Sequence, residues 1–261
     1  MGTDLVVVNY RTPQDATKWV DSVMATCDPI EVNVFVIDVD PIDRCDFLVR
    51  RMEAGGFRCW YTPVAYNCGY GRAVNLGASH GMGEMIGVFN ADTQLTDGVV
   101  RACRDDLIAN PEWGVVGPRQ VDRQGKLTHA GIMGTQKKPK IRGWHQLDRG
   151  QYGFPEECVY VAGSAMFLRR EVWKEMAECH LYRDAHSTAF GPMLETPHYY
   201  EDAWLCSHLR EHGYGVIYKG DVTMRHEWHK ASKKGGHADR QMRKSREIFR
   251  DTCRAHGIEH E

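Results

Sequence analysis

Several groups of residues in this 261-residue chain have the types and spacing to do chemistry. Asn90-Ala91-Asp92 closes a hydrophobic run, and His226 follows the last apolar segment. A strand-end carboxylate and an imidazole can each ligate a metal or move a proton, and by residue type alone each also suits a turn or a hydrogen-bonded loop. Glu201-Asp202 opens a helical pattern, where backbone donors hold carboxylates in place. The glycine-rich turn Asn67-Cys68-Gly69-Tyr70-Gly71 leads into a helix through Arg72, whose charge and direction suit a phosphate. The turn lacks the Gly-Lys-Ser/Thr of a Walker loop and the Gly-x-Gly-x-x-Gly spacing of a dinucleotide fingerprint. Gly163-Ser164 interrupts an apolar run, where glycine is unfavourable unless something approaches the backbone closely. Trp144, His145 and Asp148 lie in a loop suited to a sugar ring, because an indole face packs on a pyranose, although Trp144 also suits packing. Taken singly, each group has a structural reading as well: a turn at Asn-x-Asp, an acidic helix start, a strand-end Asp38.

Repeated strand and helix units must position these residues. Leu5–Val8 is a continuous β-branched run, as in a strand buried on both faces, and Thr12-Pro13 with Asp15 predicts an N-cap, first-turn proline and capping box. Strands are predicted over Val32–Ile37, Phe57–Tyr61, Met85–Phe89 and Gly114–Gly117. Helices are predicted between them over Asp43–Ala54, Arg72–Ser79 and Asp97–Ala109, the last capped by Thr96. The alternation implies a mostly parallel sheet with helices on both faces and a ligand site at the carboxyl ends of the strands. The second half is less regular. A strand over Val159–Leu168, a helix from Arg170, a helix over Glu201–His212, paired short strands over Gly215–Tyr218 and Val222–Met224, and a basic helical tail are expected.

Composition bounds the class. Against 35 Asp+Glu stand 33 Lys+Arg, so the chain is near neutral, which argues against wholesale electrostatic binding to nucleic acid. Nine cysteines without a Cys-x-x-Cys pair fit reduced thiols better than a disulfide framework or a structural zinc site. No apolar run reaches the roughly 18 residues of a membrane span and the amino terminus has no basic signal region, so the expected location is cytoplasmic. His226-Glu227-Trp228-His229 is one residue short of the zinc-protease helix signature.

The ordered motifs Val8–Thr12, Val36–Asp38, Asn67–Gly77, Asn90–Asp92, Gly163–Ala165, Glu201-Asp202 and Val222–His226 resemble the family 2 glycosyltransferases of GT-A fold. The likeness is greatest to their small, freestanding rhamnosyltransferase-like members, bacterial or phage, over about residues 4 to 232. It implies an α/β fold with a Rossmann-like, mostly parallel donor half (about 1–118) and a mixed acceptor half (about 119–232). A basic helical tail follows over 233–261. It further implies a metal-dependent, inverting transfer of a hexosyl group from a nucleotide sugar (UDP-, dTDP- or GDP-linked) to an acceptor hydroxyl. Asp202 would be the general base and Glu201 its neighbour that orients or binds the acceptor. Asp92 would ligate the cation, completed by His226, with Asn90 a departure from the acidic form of the motif; oxygen ligands with one imidazole suit Mn2+ or Mg2+ better than zinc. Asn9, Tyr10, Arg11, Thr12, Asp38, Gly69, Arg72, Asn75, Asn90, Ala91 and Asp92 would face the donor. Trp144, His145, Asp148, Gly163 and Ser164 would face the acceptor.

Two basic clusters bear on the acceptor. One is Lys137, Lys138, Lys140 and Arg142; the other runs from Lys230 to Arg254, with nine Lys/Arg against Asp239, Glu247 and Asp251. A solvated helix face is the simplest account of such runs, and a track for a phosphate-bearing acceptor, such as DNA with a hydroxylated base, is the functional one. A glycan or a protein hydroxyl is the other acceptor class. A non-catalytic module on the same fold that binds nucleotide sugar or nucleic acid is the alternative function.

Overall fold

The structure is a computed structural model that describes residues 2–179, 191–197, 199–227 and 237–258, with the side chains of 237–239 excepted. Four parallel strands form one half of the main sheet: β1 (Thr3–Tyr10), β2 (Val32–Val39), β3 (Arg58–Val64) and β4 (Met85–Asn90). Between them run α1 (Pro13–Thr26), α2 (Phe47–Ala54) and α3 (Tyr70–His80). The chain continues through β5 (Thr93–Gln94), α4 (Val99–Ala109), β6 (Trp113–Val121), β7 (Leu127–His129), the hairpin β8 (Ile132–Thr135) and β9 (Lys138–Ile141), and β10 (Pro155–Glu157). It then forms β11 (Ala165–Arg169), α5 (Arg170–Glu178), α6 (Glu201–Glu211), β12 (Gly215–His226) and α7 (His237–Ala255). The sheet order is β10-β12-β6-β11-β4-β1-β2-β3, with β11 antiparallel to both neighbours. None of the described helices is long and apolar enough to cross a membrane.

The β1 run packs on both faces. Val6 and Val8 join one apolar layer with Val74, Ala78 and Met166, while Leu5 and Val7 join the opposite layer with Trp19, Val20 and Phe89. Gly77 on α3 is needed for this approach, since a Cβ there would stand 2.4 Å from a Val6 methyl. The amino end of β1 is fixed by a buried ion pair: Arg170 Nη2 donates to Asp4 Oδ2 at 2.6 Å, and Gly83 N–H and Asn33 Nδ2 donate to the same carboxylate. The Arg170 guanidinium also donates to the Ala78 and Gly83 carbonyls, so the charges lie inside a saturated polar knot.

The structure differs from the sequence expectations where side chains compete for backbone groups. Thr12 makes no side-chain cap bond; its hydroxyl donates to Asn9 Oδ1 at 2.8 Å instead, and no capping box forms. Helix α2 begins at Phe47 rather than Asp43, because the Cys45 N–H is taken by Asp38 Oδ2. Helix α4 begins after Gly98 in a left-handed conformation, and the Thr96 hydroxyl bonds the Thr223 carbonyl rather than capping. The two expected last strands are one, β12, bent by a register shift between Lys219 and Thr223. That bend lies beside buried Lys219, whose ammonium pairs with Asp106 and Asp221. The expected boundary near 232 and His229 lie outside the described residues. Helix α7 is no free tail: Phe249, Cys253 and Ile258 pack on Trp204 and Leu194, and Phe249 stacks on Tyr200 at 5.3 Å.

Candidate active site

The carboxyl ends of β1, β2 and β4 lie at one sheet edge, where β4 runs into a tight turn. The Asn90 N–H donates to the Ser164 carbonyl, Ala91 N–H to the Val8 carbonyl, and the Thr93 hydroxyl to the Asn90 carbonyl. Strand β5 then pairs with the end of β12, aligning Thr93 with His226, and Glu227 N–H donates to the Asp92 carbonyl. This pairing brings His226 Nε2 to 3.5 Å from Asp92 Oδ1. Both side chains are largely enclosed, His226 at 6% and Asp92 at 15% exposure. His226 Nδ1 is buried with no hydrogen-bond partner among the described residues. A carboxylate oxygen beside an imidazole nitrogen fits a divalent cation. His129 lies behind it, fully buried; burial first, then the charges of His226 and Arg142, push its pKa down to about 3. It is therefore neutral at working pH, and its Nε2 accepts the Ala162 N–H at 3.3 Å.

Helix α6 begins after two non-glycine residues in left-handed conformation, Tyr199 (φ 66°) and Tyr200 (φ 74°). Such backbone costs about 1–3 kcal/mol per residue and is found where surrounding structure over-determines it. It places Glu201 and Asp202 in the first turn facing inward. Asp202 Oδ2 accepts the Gly163 N–H at 2.9 Å and Oδ1 accepts the Ala203 N–H at 2.8 Å. Burial raises the Asp202 pKa against the opposing pull of those donors. Glu201 is raised as well, by burial first and the Asp202 charge second, and its Oε2 lies 3.4 Å from the Thr196 hydroxyl. With its pKa raised to about 8, Glu201 is expected to be protonated at neutral pH beside the half-buried Asp202.

The turn at Gly163-Ser164 joins these two clusters. The chain reverses there, with Ala165 N–H bonded to the Ala162 carbonyl, so Gly163 precedes β11 instead of lying mid-strand as expected. The segment 159–162 is likewise not strand; only an isolated bridge links Tyr160 to Ile132. The reason is chemical: an extended strand would not aim the Gly163 N–H at Asp202 and the Ser164 carbonyl at Asn90. The Ser164 hydroxyl donates to Gln120 Oε1 at 2.8 Å, fixing the turn from below. Sequence reasoning missed Tyr70, whose hydroxyl donates to the Gly163 carbonyl at 2.5 Å. Burial, then the charges of Glu201, Asp202 and Asp92, raises its pKa well above the usual phenol value, so it stays a neutral donor. The signal was present, since Tyr70 sits in the glycine-rich motif.

The donor-side candidates divide. Asn9 and Asp38 form a buried frame: Asn9 Nδ2 donates to Asp38 Oδ1 at 2.8 Å, and Tyr61 Oη and Cys45 N–H donate to Asp38 Oδ2. Asp38 has no solvent-exposed surface in this arrangement. Arg11 (φ 56°) and Asp40 (φ 48°) turn the ends of β1 and β2 and pair at 2.5 Å, with Arg11 over the Tyr10 ring. Asn75 and Gly69 are placed for packing. The Asn75 amide exchanges two 2.9 Å bonds with the Met193 backbone, and a Cβ on Gly69 would meet the Thr196 carbonyl oxygen at 2.3 Å. Both hold the segment 191–197 against α3. Arg72 is half-exposed, 3.9 Å from Glu195.

Of the residues expected to face an acceptor, Trp144 and His145 pack ring edge to face at 4.6 Å, and Asp148 pairs with Arg119 at 3.4 Å. Lys137, Lys138 and Lys140 are exposed on or beside β9. Arg142 is not part of that patch: it stacks between Tyr152 and Tyr218, donates to the Ala130 carbonyl and pairs with Glu156. On α7, Arg240, Arg243, Lys244, Arg246 and Arg254 are exposed, while the start of the basic segment at Lys230 lies outside the described residues.

Residues 4–176 match the model of glycosyl transferase family 2. No curated protein matches the chain in sequence. Among solved structures, GalNAc-T7 with UDP, GalNAc and Mn2+ superposes with a TM-score of 0.66 at 13% identity, over 86% of this chain and 43% of that one. The mannosyltransferase PcManGT from Pyrobaculum calidifontis, in complex with GDP-Man and Mn2+, gives 0.60 at 17% identity, over 97% and 64%. TarS from S. aureus gives 0.59 at 13% identity, over 87% and 36%. The chain thus spans less than two thirds of the length of each of these proteins. The family match over most of the sheet and the shared fold agree: the chain belongs to glycosyl transferase family 2 and has the GT-A fold.

Proposed function

We propose that the protein is a metal-dependent, inverting glycosyltransferase that moves a hexosyl group from a nucleotide sugar to an acceptor hydroxyl. The observation that carries this reading is the single turn at Gly163-Ser164, which is bonded to Asp202 on one side and to Asn90 of the Asn90–Asp92 turn on the other. Asp92 and His226 would hold Mn2+ or Mg2+, whose charge when bound offsets the negative charge that builds on the departing nucleoside diphosphate. Asp202, with a raised pKa and two backbone donors fixing its orientation, takes the proton of the acceptor hydroxyl. The acceptor oxygen bonds to the anomeric carbon as the carbon–phosphate-oxygen bond breaks on the opposite face, and that bond's electron pair leaves with the diphosphate. One displacement with one base inverts the anomeric centre.

Glu201, kept neutral by burial and by Asp202, orients the pair without competing as a base. Asn9 and Asp38 stiffen the strand ends against which a UDP, dTDP or GDP moiety would lie. Exposed Lys137, Lys138 and Lys140 favour an anionic acceptor, DNA with a hydroxylated base among them. Incubating the protein with a donor panel and with glycan, protein and hydroxymethylated DNA acceptors, followed by mass spectrometry, tests the reading. Transfer that disappears in Asp202→Asn supports it. Donor binding without release of nucleoside diphosphate in any pairing would favour the non-catalytic module.

A further inference from the structure

Away from this site, the carboxyl ends of α5 and α6 meet. Cys179 follows the last turn of α5, His208 lies on α6, and His212 follows its last turn. One ligand atom from each of the three lies within 4.8 Å of the others, and Cys179 Sγ is 2.7 Å from His208 Nε2. His208 is buried, Cys179 half-buried and His212 open to solvent, so the cluster has both a dry floor and an entry path. The spacing is helical: His208 and His212 are four residues apart and so share a face, as do Glu175 and Cys179 on the facing helix. Glu175 Oε1 stands 3.8 Å from His212 Nδ1, while its Oε2 accepts the Tyr214 hydroxyl at 2.7 Å. At that distance Glu175 makes no hydrogen bond to His212, but it stands near enough to close on the ring and orient it once the imidazole ligates a metal.

We propose that Cys179, His208 and His212 form a second metal site, selective for Zn2+, that clamps α5 to α6. One thiolate and two imidazoles are soft and borderline donors that favour zinc, whereas Mn2+ and Mg2+ favour oxygen. The three ligands found among the described residues leave a fourth tetrahedral position open. Binding replaces the short Cys179–His208 hydrogen bond: the thiol proton leaves to solvent, sulfur and nitrogen bond the metal, and the two atoms part to about 3.5 Å, as bonds of about 2.3 and 2.0 Å require. The clamp grips the far end of the helix whose first turn carries Glu201 and Asp202. His208 is seven residues on from Glu201, about 10 Å along the axis, so zinc stiffens α6 without entering the catalytic pocket.

The test is zinc titration of the full-length, metal-stripped protein against a chromophoric chelator, with Mn2+ as the competing ion. One equivalent of Zn2+ is expected to bind, unaffected by excess Mn2+. His212→Ala, at an exposed position that leaves the core intact, and Cys179→Ser are each expected to weaken it at least tenfold. Glu175→Gln is expected to weaken it about tenfold to a hundredfold. Asp92→Asn is expected to keep that equivalent, which separates this site from the catalytic one. Cobalt loading is expected to give a thiolate charge-transfer band that Cys179→Ser abolishes. Unchanged zinc affinity in His212→Ala, displacement of zinc by equimolar Mn2+, or loss of the equivalent in Asp92→Asn would overturn the proposal.

Discussion

The backbone N–H of Gly163 donates to Asp202 Oδ2 at 2.9 Å, while the carbonyl of the same glycine accepts the Tyr70 hydroxyl at 2.5 Å. The carboxylate proposed as base is therefore positioned by a turn rather than by its own helix alone. That turn's other residue, Ser164, holds Asn90. Any movement of the turn displaces the proposed base relative to the edge proposed to hold the cation.

Gly163→Ala tests this coupling. A Cβ there would stand 3.2 Å from Asp202 Cβ and 3.4 Å from its Oδ2, so the carboxylate must shift by a few tenths of an ångström. Misplacement of a reacting group by about 1 Å can cost about 100-fold in rate. The expected outcome is a kcat lowered about tenfold with donor KM little changed, measured by steady-state kinetics. Equal kcat in the variant would show that the turn does not set the base.

Asp202→Asn removes the proposed proton acceptor and keeps the shape. General-base catalysis contributes about 100- to 10,000-fold, and turnover is expected to fall by that factor. Donor affinity, read by isothermal titration, is expected to stay within about twofold.

The proposed metal pair gives a different signature. Asp92→Asn and His226→Ala are each expected to weaken donor binding in the presence of Mn2+ and to leave the weaker binding in EDTA unchanged. Full wild-type activity in EDTA would exclude the proposed cation.

Glu201 makes stability depend on pH in a stated direction. Its pKa is raised, to about 8, by burial and by Asp202, so between the ordinary carboxylate value and that point the folded chain binds more protons than the unfolded one. Stability contributed by the neutral carboxyl is present at low pH and is lost as pH rises through this window. Glu201→Gln, neutral throughout, is expected to flatten the fall in melting temperature between about pH 5 and pH 8. An identical slope in both proteins would count against a protonated Glu201.

Arg170 supplies a structural control far from the chemistry. Replacing it with Ala leaves the buried Asp4 carboxylate without its cation, a loss that typically costs about 3–5 kcal/mol. Urea unfolding is expected to show a lowered midpoint in Arg170→Ala. A midpoint within experimental scatter of wild type would mean that Gly83 N–H and Asn33 satisfy Asp4 alone.

The core of the first half was legible because its pattern is local. A continuous Leu5–Val8 run needs cover on two faces; the helix around Trp19 follows it directly in the chain, and the apolar stripe around Val74 recurs two strands later in the same alternation. Side-chain competition was not legible. Thr12 carries the chemistry of a cap, yet Asn9 lies near enough in the turn to take its hydroxyl. Asn75 and Gly69 sit in a motif that reads as donor-binding, but they face Met193 and Thr196, more than a hundred residues away.

By itself the sequence determined the fold family, the parallel first half of the sheet and the residue types gathered at its edge, since those follow from hydrophobic period and motif order. Only the tertiary structure decided which of those residues meet. The pairing of β5 with β12 sets His226 against Asp92, and a turn, not a strand, sets Gly163 against Asp202. Both depend on hydrogen bonds between segments far apart in the chain, and local propensity carries no information about such partners. The nine cysteines read as reduced thiols, and all nine are free; that Cys179 stands beside His208 and His212 depends on how two helix ends pack.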